Sequence, residues 1–503
     1  MPFSRILRRL KKAIIPGEGT EERIIKSGAW SGATNTLNRI IQVIKLVILA
    51  RFLPPAEFGL IGIAFLTIIT VGSFTDLGIQ AALIQKKEEY IDQYLSTAWT
   101  IRATRGIILA VLLFLSAPYV ATFFDEPRAR DVVRVIAISP LILGFRNPGI
   151  VYFTKNLEFH KRFAQELSGT TVNFVIAVAL GITLQNVWAL VLGSLGGNVT
   201  SLVASYILHN YRPRIEFDRD VAAELINYGK WMFGDSIVKF LVNQGDDAFV
   251  GWFLNATSLG FYQMAYRFSN APATEITSVI SSVAFPSYSQ VQSDTEKLRN
   301  SFYRTIRVSS FISFPAAVGI IAVAPSFVRG LLGEEWLPII PVMQLLAVWG
   351  LLRSINSAST PVFLATGRPD FATKIRAASL VVIGILIFPA AARYELVGIA
   401  AVLIISSLFV SVPVWSYIAI RTVDGSILQY LRILSYPLIG SGLMGGTVWA
   451  VQQSVTSGIV IVDFIGLVLL GGLVYVGFTA CVVRLFNYRI DAELRSIATH
   501  FRS

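Results

Sequence analysis

The chain has 503 residues, of which 54% are hydrophobic and only 15% charged, against about 25% charged in a soluble domain; this excludes a soluble globular fold and marks an integral membrane protein. A single cysteine, Cys481, excludes an internal disulfide and a cysteine metal site, and three scattered histidines argue against any metal site. The formal charge of +12 is spread between apolar spans, which suits membrane orientation and not nucleic acid.

Residues 1–24 open with "MPFSRILRRLKKAII", where Phe3, Ile6, Leu7, Leu10 and Ile14 recur at helical spacing among basic residues. No apolar core with a cleavage site follows, so this is not a signal peptide but a basic amphipathic segment expected on the cytoplasmic membrane surface. A plainly solvated basic tail is the alternative. A spanning helix needs about 20 mostly apolar residues. Spans are expected near 25–50, 58–84, 95–120, 132–153, 163–185, 187–208, 224–253, 259–286, 302–330, 339–364, 371–391, 396–420, 429–451 and 459–485, about 14 in all. With a cytoplasmic start, roughly 28 Lys and Arg fall on the inner side and about 6 on the outer, the asymmetry of an inner-membrane protein. Both termini are then cytoplasmic. No connecting loop is long enough to fold as a domain, so a catalytic module has no place and no catalytic residue is assigned.

The first span, "NTLNRIIQVIKLVILARFLPP", carries Arg39 and Lys45 well inside its apolar run, at roughly 2.5–3.5 kcal/mol for a charge at the centre of a helix. About nine bases lie within spans in this way: Arg39, Lys45, Arg102, Arg105, Arg146, Lys230, Lys239, Arg267 and Arg353. A repeat places the first of them. "SGAW…RFLPPAEFG" from Ser27 and "YGKW…WFLNATSLG" from Tyr228 align without a gap, matching Gly28 to Gly229, Trp30 to Trp231 and Gly59 to Gly260. Six spans separate the copies, so both run in the same direction, as in a transporter of two parallel repeats. At about 100° per residue, Ser31, Asn35, Asn38, Arg39, Gln42 and Lys45 fall within an arc of roughly 120° on the first span. Asp235, Ser236, Lys239, Asn243, Asp246 and Asp247 do the same on the seventh. Lipid cannot solvate such stripes, which must face a wet cavity or another part of the protein. Static pairing of Arg39 and Lys45 with Asp235 or Asp246 is the structural alternative.

Arg146 in "LGFRNPG", Arg267 in "MAYRFSN" and Arg353 in "GLLRSIN" extend the set of intramembrane cations. With Arg39 and Lys45 they would suit a pyrophosphate, because guanidinium groups bind phosphate in pairs of hydrogen bonds; snorkelling or local pairing is the other reading of each. Arg102 is expected to pair with Asp76, and Lys230 to snorkel. "GSLGGN" from Gly193 lies within a span, has no preceding strand and no following lysine, and so reads as a close helix contact, not a phosphate loop. "NAT" from Asn255 is a poor glycosylation site so near the membrane.

"SGAWSG", "VILARFLPPAEFGLIGIA", "FTDLGIQAALIQKKE", "FPSYSQVQSDTEKLRNSFYR", "GEEWLPIIPVMQLLAVWGLLRSIN" and "ATGRPD" resemble the polysaccharide-unit flippases of the multidrug/oligosaccharidyl-lipid/polysaccharide exporter superfamily, most closely the colanic-acid type. The resemblance implies an all-α fold of two six-helix lobes around a central cavity plus two further helices, here 25–208, a linker at 209–223, 224–420, the pair within 421–485, and a tail at 486–503. It implies movement of an undecaprenyl-pyrophosphate-linked oligosaccharide from the cytoplasmic to the outer leaflet. Basic residues on the first and eighth spans line the cavity in the related lipid II flippases, and Arg39, Lys45 and Arg267 fall in comparable places. The expected cavity set is Asn35, Arg39, Gln42, Lys45, Arg146, Lys239, Asn243, Arg267 and Arg353, with Asp235, Asp246 and Asp247 for coupling to Na⁺ or H⁺ and no other cofactor. Expected partners are the lipid-linked oligosaccharide, membrane lipids, and the polymerase and glycosyltransferases of the same synthesis. A cation-coupled multidrug antiporter would want acids to dominate the cavity, and a membrane glycosyltransferase or polymerase would want a large outer loop or a nucleotide-sugar domain.

Overall fold

The computed structural model describes residues 20–75, 79, 83, 91–454 and 460–486, with the backbone alone at 20–29, 226–239, 272, 275–276, 278–279, 281–283, 369, 460 and 485–486. Most of the expected amphipathic segment, and Asp76, lie outside these residues. Every regular element among them is helical. In chain order these are α1 (Thr20–Ala50), α2 (Pro55–Ser73), α3 (Ile91–Phe123), α4 (Ala129–Ile136), α5 (Ile138–Gly144), α6 (Val151–Lys155), α7 (Phe159–Leu184), α8 (Trp188–Leu208) and α9 (Arg219–Phe253). They continue as α10 (Ala256–Val291), α11 (Thr295–Phe327), α12 (Ile339–Ile355), α13 (Ser359–Ala365), α14 (Pro369–Ser406), α15 (Val412–Thr422), α16 (Ile427–Ser454) and α17 (Val460–Phe486).

Eight helices among the described residues are long and apolar enough to cross a membrane, or up to nine with one bent pair. One of the eight, Asp370–Thr422, is 53 residues long. As a straight helix it would reach about 80 Å, far beyond a hydrocarbon core of about 30 Å. Its backbone turns back at Glu395, where φ is 48° and ψ −130°, so it holds two antiparallel segments, at the place where the sequence separates 371–391 from 396–420. The segment expected to span near 132–153 is broken by a bend. Ala129–Gly144 and Pro148–Lys155 are bent by 68°. Asn147, which precedes Pro148, is forced out of the helical region (ψ 121°) and its side chain accepts the Gly149 N–H.

The chain forms two compact units, residues 1–260 and 261–503. In the first, α7 and α8 are a tight hairpin. A Cβ at Gly197 would meet the Gly169 carbonyl at 2.7 Å, and one at Gly193 would meet the Ala177 side chain at 2.7 Å, so "GSLGGN" is a close-packing stripe. Glu57, in the first turn of α2, is buried and ties neighbouring helix ends together: it accepts from Arg128 at 2.7 Å and from the Val187 N–H at 2.7 Å. Asn255 caps α10, its side chain accepting the Ser258 N–H at 2.8 Å, which accounts for the asparagine in "NAT". The repeat is visible as a contact. A Cβ on Gly59 would strike the Ala256 carbonyl, and one on Gly260 the Pro55 carbonyl. Gly59 matches Gly260 and Pro55 matches Ala256, so the contact is reciprocal, as a two-fold relation requires.

In the second unit, α11 packs against α12, α16 and α17 around a core that includes Phe302, Phe314, Phe363, Trp415 and Tyr430. Where α12 breaks at Asn356, buried serines satisfy each other: Ser354 donates to Ser313 at 2.8 Å, and Ser309 meets Ser357 at 3.2 Å. Tyr475 of α17 donates to the Phe311 carbonyl at 2.9 Å and Gln452 of α16 to Ser326 at 2.7 Å, fixing this last pair of helices to α11.

Candidate substrate-binding site

Helix α1 has two exposed faces of opposite character. Leu37, Ile40 and Ile44 are exposed on one, the composition of a lipid-facing surface. On the other, Asn35 and Gln42 are exposed, flanked by half-buried Asn38, Arg39 and Lys45. The stripe read from the 3.6-residue period is therefore a partly exposed face. Lys45 donates to Asn173 of α7 at 2.9 Å. Arg39 forms no ion pair with the described residues; its Nε is buried without a partner, as is the Asn38 Oδ1 beside it. Asp235 and Lys239 have side chains outside the described set. Asn243 is exposed, and Asp246 and Asp247 are half-buried on α9.

In the second unit Arg267 of α10 is exposed. Arg353, near the end of α12, is half-buried in aromatic company. It donates to the Tyr266 hydroxyl at 3.0 Å, and its guanidinium lies 4.6 Å from the Trp349 ring centroid. Cation–π contact and one phenol hold this charge, and no carboxylate among the described residues pairs with it. Arg146 makes no contact with the stripe among the described residues. It lies within electrostatic reach of Arg102, as Arg105 does. Arg102 donates to the Leu143 carbonyl at 3.5 Å, and Arg105 to the Gly72 carbonyl at 3.0 Å, closing the end of α2. Asn173, Tyr266 and Trp349 were not among the residues expected from sequence. Asn173 carried a usable signal, a lone amide inside the apolar run "VNFVIAV". The two aromatics carried none, since tyrosine and tryptophan are unremarkable in a span.

Chemically, a guanidinium with an unfilled donor has the hydrogen-bonding groups that an oxyanion needs. No cluster of three His, Cys, Asp or Glu side chains able to hold a metal occurs among the described residues.

Eight helices long and apolar enough to cross a membrane among the described residues define a multi-pass membrane protein, in which α1 presents a partly exposed polar face. The fold is similar to that of the lipid II flippase MurJ in its inward closed conformation, with a TM-score of 0.71 at 16% identity, over 90% of this chain and 98% of that one. The profile of the family described as "polysaccharide biosynthesis protein" matches residues 48–341, and the chain belongs to that family. Among curated relatives, the lipopolysaccharide biosynthesis protein WzxC of Escherichia coli (strain K12) is 28% identical over 70% of this chain and 72% of its own. The teichuronic acid biosynthesis protein TuaB of Bacillus subtilis (strain 168) is 25% identical over 86% and 90%.

Proposed function

We propose that this protein is a prokaryotic inner-membrane flippase. It moves an undecaprenyl-pyrophosphate-linked oligosaccharide unit from the cytoplasmic to the outer leaflet by alternating access, and performs no covalent chemistry. The observation that carries the reading is Arg39: a guanidinium without an acid partner among the described residues, beside an unsatisfied Asn38, on an exposed polar face of a helix whose opposite face is apolar. The names of the relatives support polysaccharide precursors as the cargo. Arg39 and Lys45 receive the pyrophosphate, with Arg267 and Arg353 as further cations on the sugar's path, and Asn35, Gln42, Lys239 and Asn243 as polar lining. Asp235, Asp246 and Asp247 couple the cycle to Na⁺ or H⁺, carboxylates on a transporter's polar stripe being natural cation ligands or proton relays. The two six-helix lobes, 25–208 and 224–420, alternate around this site, and the product passes to a polymerase.

The reading is tested in proteoliposomes that carry a fluorescent short-chain polyprenyl-pyrophosphate oligosaccharide. Transfer between leaflets should require the protein and be abolished by Arg39→Ala. Transfer of cationic dyes instead of the lipid-linked sugar would support an antiporter, and turnover of a labelled nucleotide sugar would support an enzyme; either result overturns the proposal.

A further inference from the structure

The first unit carries arginines that the α1 stripe does not use, around the end of α3, α5 and α8 that the basic bias assigns to the cytoplasm. Of these, Arg105 is engaged by α2. Among the described residues Arg102 reaches only a carbonyl, at 3.5 Å, and the Arg146 Nε is buried without an acceptor. Glu166, the carboxylate nearest in influence to Arg146, is already held by Arg162 at 2.7 Å. Arg212, just beyond α8, donates to the carbonyls of His209 and Tyr211 and lies 5.8 Å from the Tyr206 ring centroid. Among the described residues none of Arg102, Arg146 and Arg212 forms an ion pair.

Beside them runs a groove of about 680 Å³ lined by Phe145, Leu202, Val203, Tyr206, Ile207 and Arg212. Val203 and Ile207 are 50% and 73% exposed. They stand four residues apart on α8, in line with exposed Val199, and so mark the side of a spanning helix that faces lipid. The groove is thus apolar, reached from the bilayer and cationic at one end. Tyr206, donating to the Phe145 carbonyl at 2.9 Å, closes its wall.

The geometry points to an inner-leaflet binding site for an anionic phospholipid, with one acyl chain along Phe145, Leu202, Val203 and Ile207 and the headgroup phosphate on Arg102, Arg146 and Arg212. Basic pockets between spans on the cytoplasmic side suit such headgroups, and a guanidinium matches a phosphate in geometry as well as charge. A bilayer lipid is the occupant because the groove opens on the lipid-facing side of α8, where a phospholipid arrives without entering the protein. Arg146 then belongs to this site and not to the pyrophosphate set. The inference stands apart from the identity of the transported substrate.

The test is lipid retention, by native mass spectrometry of the full chain, from mixtures of phosphatidylglycerol and phosphatidylcholine. The wild type should retain phosphatidylglycerol preferentially, and the variant with Arg102, Arg146 and Arg212 all changed to Gln should lose that preference on the order of a hundredfold. Should the triple variant fail to fold, Arg212→Gln, at the exposed rim, should weaken retention severalfold. Val203→Trp, which fills the groove, should weaken retention of both lipids. Equal retention of the two lipids by the wild type, or unchanged selectivity in Arg212→Gln and the triple variant, overturns the site. Displacement of phosphatidylglycerol by a polyprenyl pyrophosphate, lost in the Arg212→Gln variant, overturns the phospholipid assignment and makes the groove a substrate entry.

Discussion

Arg39 is the residue on which the account turns, because its cost and its use can be separated. A guanidinium inside a spanning helix would oppose insertion by roughly 2.5–3.5 kcal/mol, and no acid among the described residues returns any of that to Arg39 through pairing. Arg39→Met should therefore leave thermal stability equal or higher while abolishing transport, the signature of a residue kept for function at the expense of stability. Were Arg39 one half of a buried ion pair, the same substitution would strand a carboxylate and destabilise by several kcal/mol, and a lowered melting temperature would show it. Lys45 differs. Its bond to Asn173 gives it a structural anchor, so Asn173→Ala should remove that anchor and reduce transport several-fold with only a modest loss of stability, about 1 kcal/mol. Lys45→Arg should be milder than Arg39→Lys, because a point charge is easier to replace than a fork of donors.

At the scale of elements, one end of the first unit depends on two contacts that a hydropathy profile does not show. Glu57 satisfies both Arg128 and the Val187 N–H. Glu57→Ala leaves a buried N–H without an acceptor, and should cost about 1–3 kcal/mol in thermal unfolding. Gly59 and Gly260 meet backbone carbonyls where a Cβ would sit. Alanine at either should overpack the crossing by about 1–3 kcal/mol, and the reciprocal contact predicts similar losses for the two. The opposite end of α8 has its own joint. His209 stacks on Tyr152, with ring centroids 5.6 Å apart, and accepts the Tyr211 N–H at 3.1 Å. Burial, then nearby Lys161 and Arg212, push its imidazole below the ordinary histidine range, against a smaller pull from Glu158 and Asp92. The folded state thus prefers the neutral ring. The unfolded chain binds the proton first, so stability falls as pH drops below about 6.5. His209→Gln should flatten that part of the pH dependence of the melting temperature, and an unchanged slope would remove His209 from the joint. The helices themselves were legible because each apolar run had to satisfy its own backbone. The bend at Asn147–Pro148 was written in "RNPG" but masked by the apolar residues on both sides. Glu57 was illegible, since its partners lie 71 and 130 residues away.

For the whole molecule, the two segments aligned in the sequence meet at their ends. The segments from Ser27 and from Tyr228 each end in a glycine, and those glycines pack on each other. The polar face of α1 was legible from period alone, since Asn35, Asn38, Arg39, Gln42 and Lys45 share an azimuth in any α-helix. Which cations act together was not, because that depends on packing between helices far apart in sequence: Arg146 joins Arg102, and Arg353 joins Tyr266 and Trp349. The expected topology adds a test at this scale. Reporter fusions after Gln290 and Ser503 should read cytoplasmic and one after Glu335 external; a cytoplasmic signal at Glu335 would shift the span count by one.

The most direct measurement is the affinity of purified protein for a polyprenyl-pyrophosphate oligosaccharide, wild type against Arg39→Ala, with melting temperature followed on the same samples. Loss of charge-assisted hydrogen bonds worth about 1.5–3 kcal/mol predicts binding weakened by roughly 10- to 150-fold at an unchanged or raised melting temperature. Binding equal to the wild type, with early unfolding, would contradict the account and make Arg39 a structural partner of carboxylates on α9.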